Sequence, residues 1–96
     1  MFAIKALFNN DIAVREGLSS IRKALQEHHP DHADYYDVLR KILQQQIHLK
    51  HAVFAEKDVV SCEFYGFDEK ESAMAEAALL DVGWGGTRRY ADPSAS

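Results

Sequence analysis

The sequence is poor in cysteine: Cys62 is its single thiol, which excludes an internal disulfide framework and a cysteine-based zinc site. It has no apolar run near the ~18 residues that a membrane-spanning helix needs. It also lacks a basic excess, and the formal net charge of −4 argues against a protein that neutralises nucleic-acid phosphates. These absences predict a cytoplasmic domain with no membrane segment and no direct contact with nucleic acid.

What is present is the composition of one globular domain. The 96 residues are 47% hydrophobic and 27% charged, which allows a single core and little more. We predict one α+β domain over residues 1–90 and a frayed tail over residues 91–96, where small residues surround a proline.

A β-hairpin is predicted near the middle of the chain. Residues 47–54 and 59–65 alternate as strands do, and the charged residues 55–58 form the tip between them. Three apolar residues share one face of the second strand: Val60, Cys62 and Phe64. One alternative stays open, because the preceding helical pattern could run on through residues 44–54 and remove the first strand.

A strand and a helix are predicted at the N-terminus. Residues 2–8 alternate as a strand, and Asn9–Asp11 supplies the short oxygen-bearing side chains that cap a helix. Apolar residues then recur at helical spacing: Val14, Leu18, Ile21 and Leu25. Gly17 lies inside this helix, where it either weakens the helix or permits a close approach by another segment.

The second and third helices are marked by their caps. Pro30 ends the first helix, and Asp31 or Asp34 caps the second. In the third helix Asp68 is the N-cap and Glu71 stands three residues later, which is the spacing of a capping box.

The last part of the chain predicts a helix end and an edge strand. Gly83 is suited to the positive φ of a helix C-cap, and Trp84 would pack back on the last turn in a Schellman motif. Thr87–Tyr90 forms a short edge strand. The whole order predicts an α+β fold with an antiparallel sheet of three to four strands and helices packed on one face. Ferredoxin-like βααββαβ is the topology that this order favours.

Acidic residues are concentrated in one stretch. Residues 56–81 contain eight acidic and two basic residues, a local charge of −6, with aromatic residues interspersed or close by. A negative surface with exposed rings is typical of docking on a basic protein. The residues that we assign to this partner-binding surface are Glu56, Asp58, Glu63, Tyr65, Glu69, Glu71, Glu76 and Trp84.

The sequence therefore favours a non-enzymatic role. We expect a small protein-binding regulator or inhibitor that docks on a partner with a basic surface, such as part of a nucleic-acid-handling machine, with homodimerisation as an option. No motif for a cofactor is found, and we assign no metal site and no catalytic residue.

The histidines supply one alternative. His28, His29 and His32 lie close to Asp31 and Asp34, and imidazoles with carboxylates can bind a divalent transition metal. A proline interrupts the spacing, so a polar, solvated turn explains the same residues. His48 and His51 come later and point to opposite faces if they lie in a strand.

A family resemblance supplies the enzyme alternative. Residues 27–30, Glu-His-His-Pro, followed by Tyr36 and Val38, resemble the signature of the pterin-4a-carbinolamine dehydratases. The resemblance implies a small cytoplasmic α+β enzyme in which His28 and His29 act as acid and base on a pterin, chemistry that suits imidazole near neutral pH. The family's aromatic residue after the proline and its Thr-His pair have no counterpart here.

Two further features have ordinary structural interpretations. Cys62 on the apolar face of a strand indicates an inert buried thiol rather than a nucleophile. Residues 83–86 with Arg88 and Arg89 could hold an anion, but a helix end followed by a basic edge strand explains them as well.

Overall fold

The computed structural model describes residues 1–27 and 32–92 as a four-stranded sheet with three helices. In chain order the elements are β1 (Phe2–Phe8), α1 (Asp11–Gln26), α2 (Ala33–Gln44), β2 (Lys50–Phe54), β3 (Lys57–Phe67), α3 (Glu69–Asp81) and β4 (Thr87–Ala91). The predicted α+β class is confirmed, and residues 50–54 are strand rather than helix.

The sheet has the order β2-β3-β1-β4, and every neighbouring pair of strands is antiparallel. β1 and β3 are therefore central, while β2 and β4 are the edges. The register between β1 and β3 shifts by one residue where Gly66 adopts a φ of +85°. This irregularity returns Phe67 to the face that carries Phe64, and both rings are fully buried.

The three helices cover one face of this sheet. The fully buried side chains that join sheet to helices include Ile4, Cys62, Phe64, Ile21, Leu39, Ile42 and Leu79. The predicted buried face of β3 is confirmed, since Val60, Cys62 and Phe64 are all at most 2% exposed. Within residues 1–27 and 32–92, no helix packs on the opposite face of the sheet, where Leu7 is 50% exposed and Tyr65 is 44% exposed.

A Schellman motif ends α3, as the sequence predicts. Gly83 adopts a φ of +98°, its N–H donates to the carbonyl of Leu80 at 3.1 Å, and the N–H of Trp84 donates to the carbonyl of Leu79 at 2.9 Å. The turn directs the Trp84 ring into the core, where it lies edge-on to Phe8 with centroids 5.1 Å apart.

Gly17 permits the closest approach between α1 and this ring. The indole N–H of Trp84 donates to the carbonyl oxygen of Gly17 at 3.0 Å. A Cβ atom at position 17 would lie 2.9 Å from the indole nitrogen, too close without a shift of the ring. Of the two interpretations of this glycine, the close approach is therefore confirmed.

β2 is shorter than predicted, and the side chain of Gln45 gives the reason. The sequence pattern starts this strand at residue 47, but β2 starts at Lys50. Before that point the Gln45 amide donates to the carbonyl of Tyr65 at 2.8 Å and accepts from the Tyr65 N–H at 2.8 Å. The side-chain amide of Gln45 therefore occupies the backbone groups of Tyr65 to which a neighbouring strand would otherwise bond.

The hairpin tip is also tighter than predicted. Ala55 and Glu56 form a two-residue turn with φ values of +50° and +65°, so Lys57 and Asp58 belong to β3 rather than to the tip. Two consecutive positive φ values are typical of the type I′ turn, whose twist matches that of a hairpin.

The start of α2 and the end of β4 also differ from the prediction. His32 is the N-cap of α2 without a side-chain hydrogen bond, so the assignment of Asp34 as a cap is wrong, because it lies in the first turn. Asp31 lies outside the described residues. Ala91 belongs to β4 rather than to a frayed tail, and the Asp92 N–H donates to the carbonyl of Met1 at 3.0 Å.

Candidate functional site: the open face of the sheet

One face of the sheet carries no helix among the described residues. Strand alternation and the observed registers define its members. This open face consists of Ala3, Lys5, Leu7, Lys50, Ala52, Phe54, Lys57, Val59, Ser61, Glu63, Tyr65, Arg88 and Tyr90. It combines residues from all four strands, so no single sequence segment encodes it.

An apolar groove crosses the open face next to the hairpin. It has a volume of about 520 Å³, and Leu7, Ala52, Phe54 and Val59 provide its apolar lining. Phe54 is 76% exposed and Leu7 is 50% exposed. Large apolar side chains this accessible, gathered in one groove, are typical of a surface that another molecule covers.

Two cations stand at the rim of the groove. Lys5 and Arg88 are directly opposite each other across β1 and β4, and both line the groove. Within residues 1–27 and 32–92, the Arg88 guanidinium has no hydrogen bond or ion pair. Like charges directly opposite each other on a sheet are unfavourable, and Glu63, which lies opposite Lys5 on the other side of β1, offsets part of this repulsion.

A carboxylate lies in the middle of the open face, because Glu63 of β3 is directly opposite Lys5 of β1. The Glu63 side chain is only 17% exposed and accepts hydrogen bonds from the hydroxyls of Tyr65 and Tyr90, the latter at 2.8 Å. These hydrogen bonds lower the pKa of Glu63. Burial and the same carboxylate raise the pKa of Tyr90, so both phenols stay protonated as donors.

The predicted acidic residues of α3 are largely neutralised by cations of the same chain. Glu71 contacts Lys41 at 3.3 Å and also completes the capping box with Asp68. Glu76 contacts Arg89 at 3.4 Å. Glu63 lies 4.0 Å from Lys50 as well as beside its two tyrosines. The predicted capping box is confirmed. The carboxylates of Glu63, Glu71 and Glu76 each face a cation of the same chain.

The remaining predicted acids lie apart from one another. Glu69 is exposed on the first turn of α3, on the helical side of the sheet. Glu56 is exposed in the hairpin turn, and Asp58 is exposed near the start of β3. The acidic residues predicted as one partner-binding surface are thus distributed over the open face, α3 and the hairpin.

Trp84 is not available as an exposed anchor. Its ring is 3% exposed and packs between Phe8 and Phe64, with centroid distances of 5.1 and 6.0 Å. The expectation that Trp84 contributes an exposed ring to a binding surface is wrong, because the Schellman turn directs it inwards. Tyr65 is exposed, as predicted, but its hydroxyl is engaged by Glu63.

The histidines show no clustered site in the part of the chain that is described. His28 and His29, which carry the metal and the dehydratase alternatives, lie outside that part. His51 pairs with Asp11 at 2.8 Å, while His32 and His48 are exposed. No group of three or more histidine, cysteine or carboxylate side chains suited to a metal occurs among residues 1–27 and 32–92.

The thiol of Cys62 has the inert environment that the sequence predicts. It is 1% exposed on the helical side of β3. Burial, with the nearby Glu63 charge, raises its pKa to about 11, which disfavours the reactive thiolate at neutral pH.

Sequence reasoning missed the residues that make the groove. Leu7, Lys5 and Arg88 were each visible as outward positions of an alternating strand, but only the strand pairing puts them together. A joint anion site at Arg88 and Arg89 was the less favoured of two interpretations, and the two residues lie on opposite faces, where Arg89 pairs with Glu76. The signal available was the period-two pattern of β1 and β4, read together with their register.

Comparison of the chain with family models, curated proteins and solved structures finds no match. In residues 1–27 and 32–92, none of the helices has the length and apolar character to cross a bilayer. The functional reading therefore depends on the geometry of the open face.

Proposed function

We propose that this chain is a non-enzymatic protein-binding domain that docks a partner segment on the open face of its sheet. The observation that carries the proposal is the groove of about 520 Å³, which has an apolar lining and two adjacent cations at its rim. An apolar centre with a charged rim is the usual anatomy of a protein interface.

The chemistry of the groove favours a partner segment that carries a large apolar side chain next to carboxylates. Leu7, Phe54 and Val59 would cover the apolar side chain, and Lys5 with Arg88 would pair with the carboxylates. The open face carries four cations and one acid, so its charge is opposite to that of the whole chain.

The position of Glu63 favours protein over nucleic acid as the occupant. This carboxylate is held ionised in the middle of the open face by Tyr65 and Tyr90. A phosphate backbone that crosses the face would meet this negative charge, whereas a peptide can avoid it with a polar N–H group.

The test is a comparison of capture by variants that alter one surface each. Wild-type bait is immobilised, and proteins captured from source-cell lysate are quantified by mass spectrometry. Leu7→Ser and Arg88→Glu should each reduce capture of the same proteins by at least about tenfold, since a buried apolar contact or charge pair is lost. A photo-crosslinking residue at position 7 should then attach to a segment with apolar and acidic residues.

Leu80→Ser is the matched control, because Leu80 is 66% exposed on α3 and lies away from the open face. It should leave capture unchanged. Equal loss with Leu80→Ser, or capture that disappears after nuclease treatment, would refute docking of a protein on the open face.

The basic partner expected from the sequence is the competing proposal. Its support is now confined to Glu56, Asp58 and Glu69, which are exposed and make no side-chain ion pair in the described part of the chain. Replacing these three with Lys should abolish capture if a basic surface docks there. Unchanged capture, with loss in Arg88→Glu, would decide for the open face.

Two finer expectations belong to the same proposal. A ferredoxin-like topology is supported by the order β2-β3-β1-β4 with antiparallel neighbours, although two helices rather than one connect β1 to β2. A role as regulator or inhibitor in the cytoplasm is supported by the small size and the unpaired buried thiol of Cys62.

A further inference from the structure

The outer edge of β2 has the properties of a strand that pairs with another strand. All five of its residues, Lys50–Phe54, are exposed, and Val53 and Phe54 are 72% and 76% exposed. Proteins usually protect such an edge with charge, proline or a bulge. β2 carries one such charge, Lys50 at its start, and residues 52–54 carry none of these features, whereas the opposite edge strand β4 carries both Arg88 and Arg89.

The hairpin geometry identifies which backbone groups are free. A two-residue turn is closed by a hydrogen-bonded pair, here Phe54 and Lys57. Hydrogen-bonded and non-hydrogen-bonded pairs alternate along antiparallel strands, so Ala52 and Lys50 also bond to β3. The N–H and C=O groups of His51 and Val53 therefore point outwards, away from the sheet.

We propose that β2 pairs with β2 of a second copy of this chain, antiparallel and with Ala52 on the two-fold axis. His51 of each copy then faces Val53 of the other, and their outward backbone groups exchange hydrogen bonds. The two sheets join into one sheet of eight strands. Ala52 and Phe54 belong both to β2 and to the groove, so this pairing and the partner proposed for the open face share part of one surface.

The side chains along β2 suit this register. Lys50 of one copy lies opposite Phe54 of the other, so no lysine faces a lysine and the aliphatic stem covers the ring. The turn beyond Phe54 carries Glu56, so an antiparallel arrangement brings the basic start of one strand beside an acidic turn. On the helical side, Val53 and Ile12 line a groove of about 620 Å³ that the second copy would cover.

The first experiment measures mass in solution. Sedimentation equilibrium from about 1 to 100 µM should show a monomer–dimer equilibrium for the wild type. Val53→Pro removes an outward N–H that does not bond to β3, and proline is tolerated at such edge positions. It should weaken the dimer at least about tenfold while circular dichroism is unchanged. Val53→Thr keeps the N–H and should still form the dimer.

The second experiment tests the register with single added cysteines. Ala52→Cys places two thiols on the axis at a non-hydrogen-bonded pair, where the Cα atoms are about 4.5 Å apart, within disulfide range. Mild oxidation should crosslink this variant to a covalent dimer, whereas Phe54→Cys, opposite Lys50, should stay uncrosslinked. The buried thiol of Cys62 does not compete.

A monomer at every concentration would overturn the proposal, as would a dimer that Val53→Pro leaves intact in its folded form. Should Val53→Pro fail to fold, the crosslinking pair decides: equal crosslinking at positions 52 and 54 contradicts the register. The dimer and the capture on the open face are measured separately. If the dimer forms but no protein is captured on the open face, the proposed function fails and this inference does not.

Discussion

The two faces of the sheet share the same four strands but depend on different contacts. On the helical face, Phe64, Phe67 and Trp84 are at most 3% exposed and belong to the hydrophobic core. On the open face, Leu7 and Phe54 are at least half exposed. The comparison shows that alternate side chains of the same sheet either enter the core or remain accessible to solvent.

The same comparison applies to charge. On the helical side Lys41 and Arg89 pair with Glu71 and Glu76, so cations and acids there are mutually satisfied. On the open face Lys5 and Arg88 stand side by side, and Arg88 has no ion pair in the described part of the chain. Substitutions on the two faces should therefore act on different measurements.

Trp84→Ala should have the largest effect on stability. The ring joins α1, β1 and β3, so its removal leaves a cavity and frees the Gly17 carbonyl. We expect a loss of about 3–5 kcal/mol in the free energy of unfolding, or no folding at all. Urea unfolding followed by circular dichroism measures this, and a loss below about 1 kcal/mol would contradict the packing described.

Gly17→Ala should come next, in spite of the better helix propensity of alanine. The propensity gain is about 1 kcal/mol, but the new methyl group would overlap the indole of Trp84. We expect a net loss of about 1–2 kcal/mol in urea unfolding, the typical cost of overpacking. Ser19→Ala, at an exposed position of the same helix, is the control and should be neutral or slightly stabilising.

Glu63→Gln should remove a pH-dependent part of the stability. The folded pKa of Glu63 is lowered, so its contribution is present above its ordinary value of 4.5 and is lost as pH falls through the folded value. We expect a loss of about 1–2 kcal/mol at neutral pH, because hydrogen bonds to a charged group are weakened. Thermal melting from pH 7 downwards should show a shallower decline for the variant than for the wild type.

Glu56→Gly should stabilise the protein. Glu56 has a φ of +65°, a conformation that glycine adopts without strain. We expect a gain of about 1 kcal/mol in the free energy of unfolding, measured by urea titration. A matched Glu56→Ala variant removes the same charge but keeps the strain, so a gain there as large as in Glu56→Gly would contradict the turn geometry.

Leu7→Ser should have the smallest effect on stability. The side chain is 50% exposed and most of its atoms face the groove rather than the core. We expect a change within about 0.5 kcal/mol in urea unfolding, as for other surface substitutions. A loss comparable to that of Gly17→Ala would mean that the open face contributes to the core.

The elements that the sequence predicts best are those whose signals are local. The capping box of Asp68 and Glu71 and the positive φ of Gly83 lie within a few residues of the atoms that they satisfy. The alternation of β1 and β3 is equally local, and it predicted the buried face of β3. Such features can be derived without knowledge of the fold.

The features that the sequence did not predict depend on contacts between distant segments. The sequence predicted that Glu71 would contact a partner, but in the structure Lys41 of α2 lies 3.3 Å from it. The sequence predicted that Trp84 would belong to a binding surface, but its ring is buried in the core. The groove needed the register that sets Lys5 opposite Arg88, and the turn at Ala55 and Glu56 lacks the glycine or asparagine that marks such turns.

Gln45 has a consequence for how large an assembly of this chain can become. Its amide occupies both backbone groups of Tyr65, so an incoming chain cannot bond to β3 at that residue. Open-ended growth into fibrils needs a long, flat and continuous edge. The edge strand on this side of the sheet, β2, is five residues long. Gln45 thereby shortens the stretch of β3 along which a further strand could pair beyond β2.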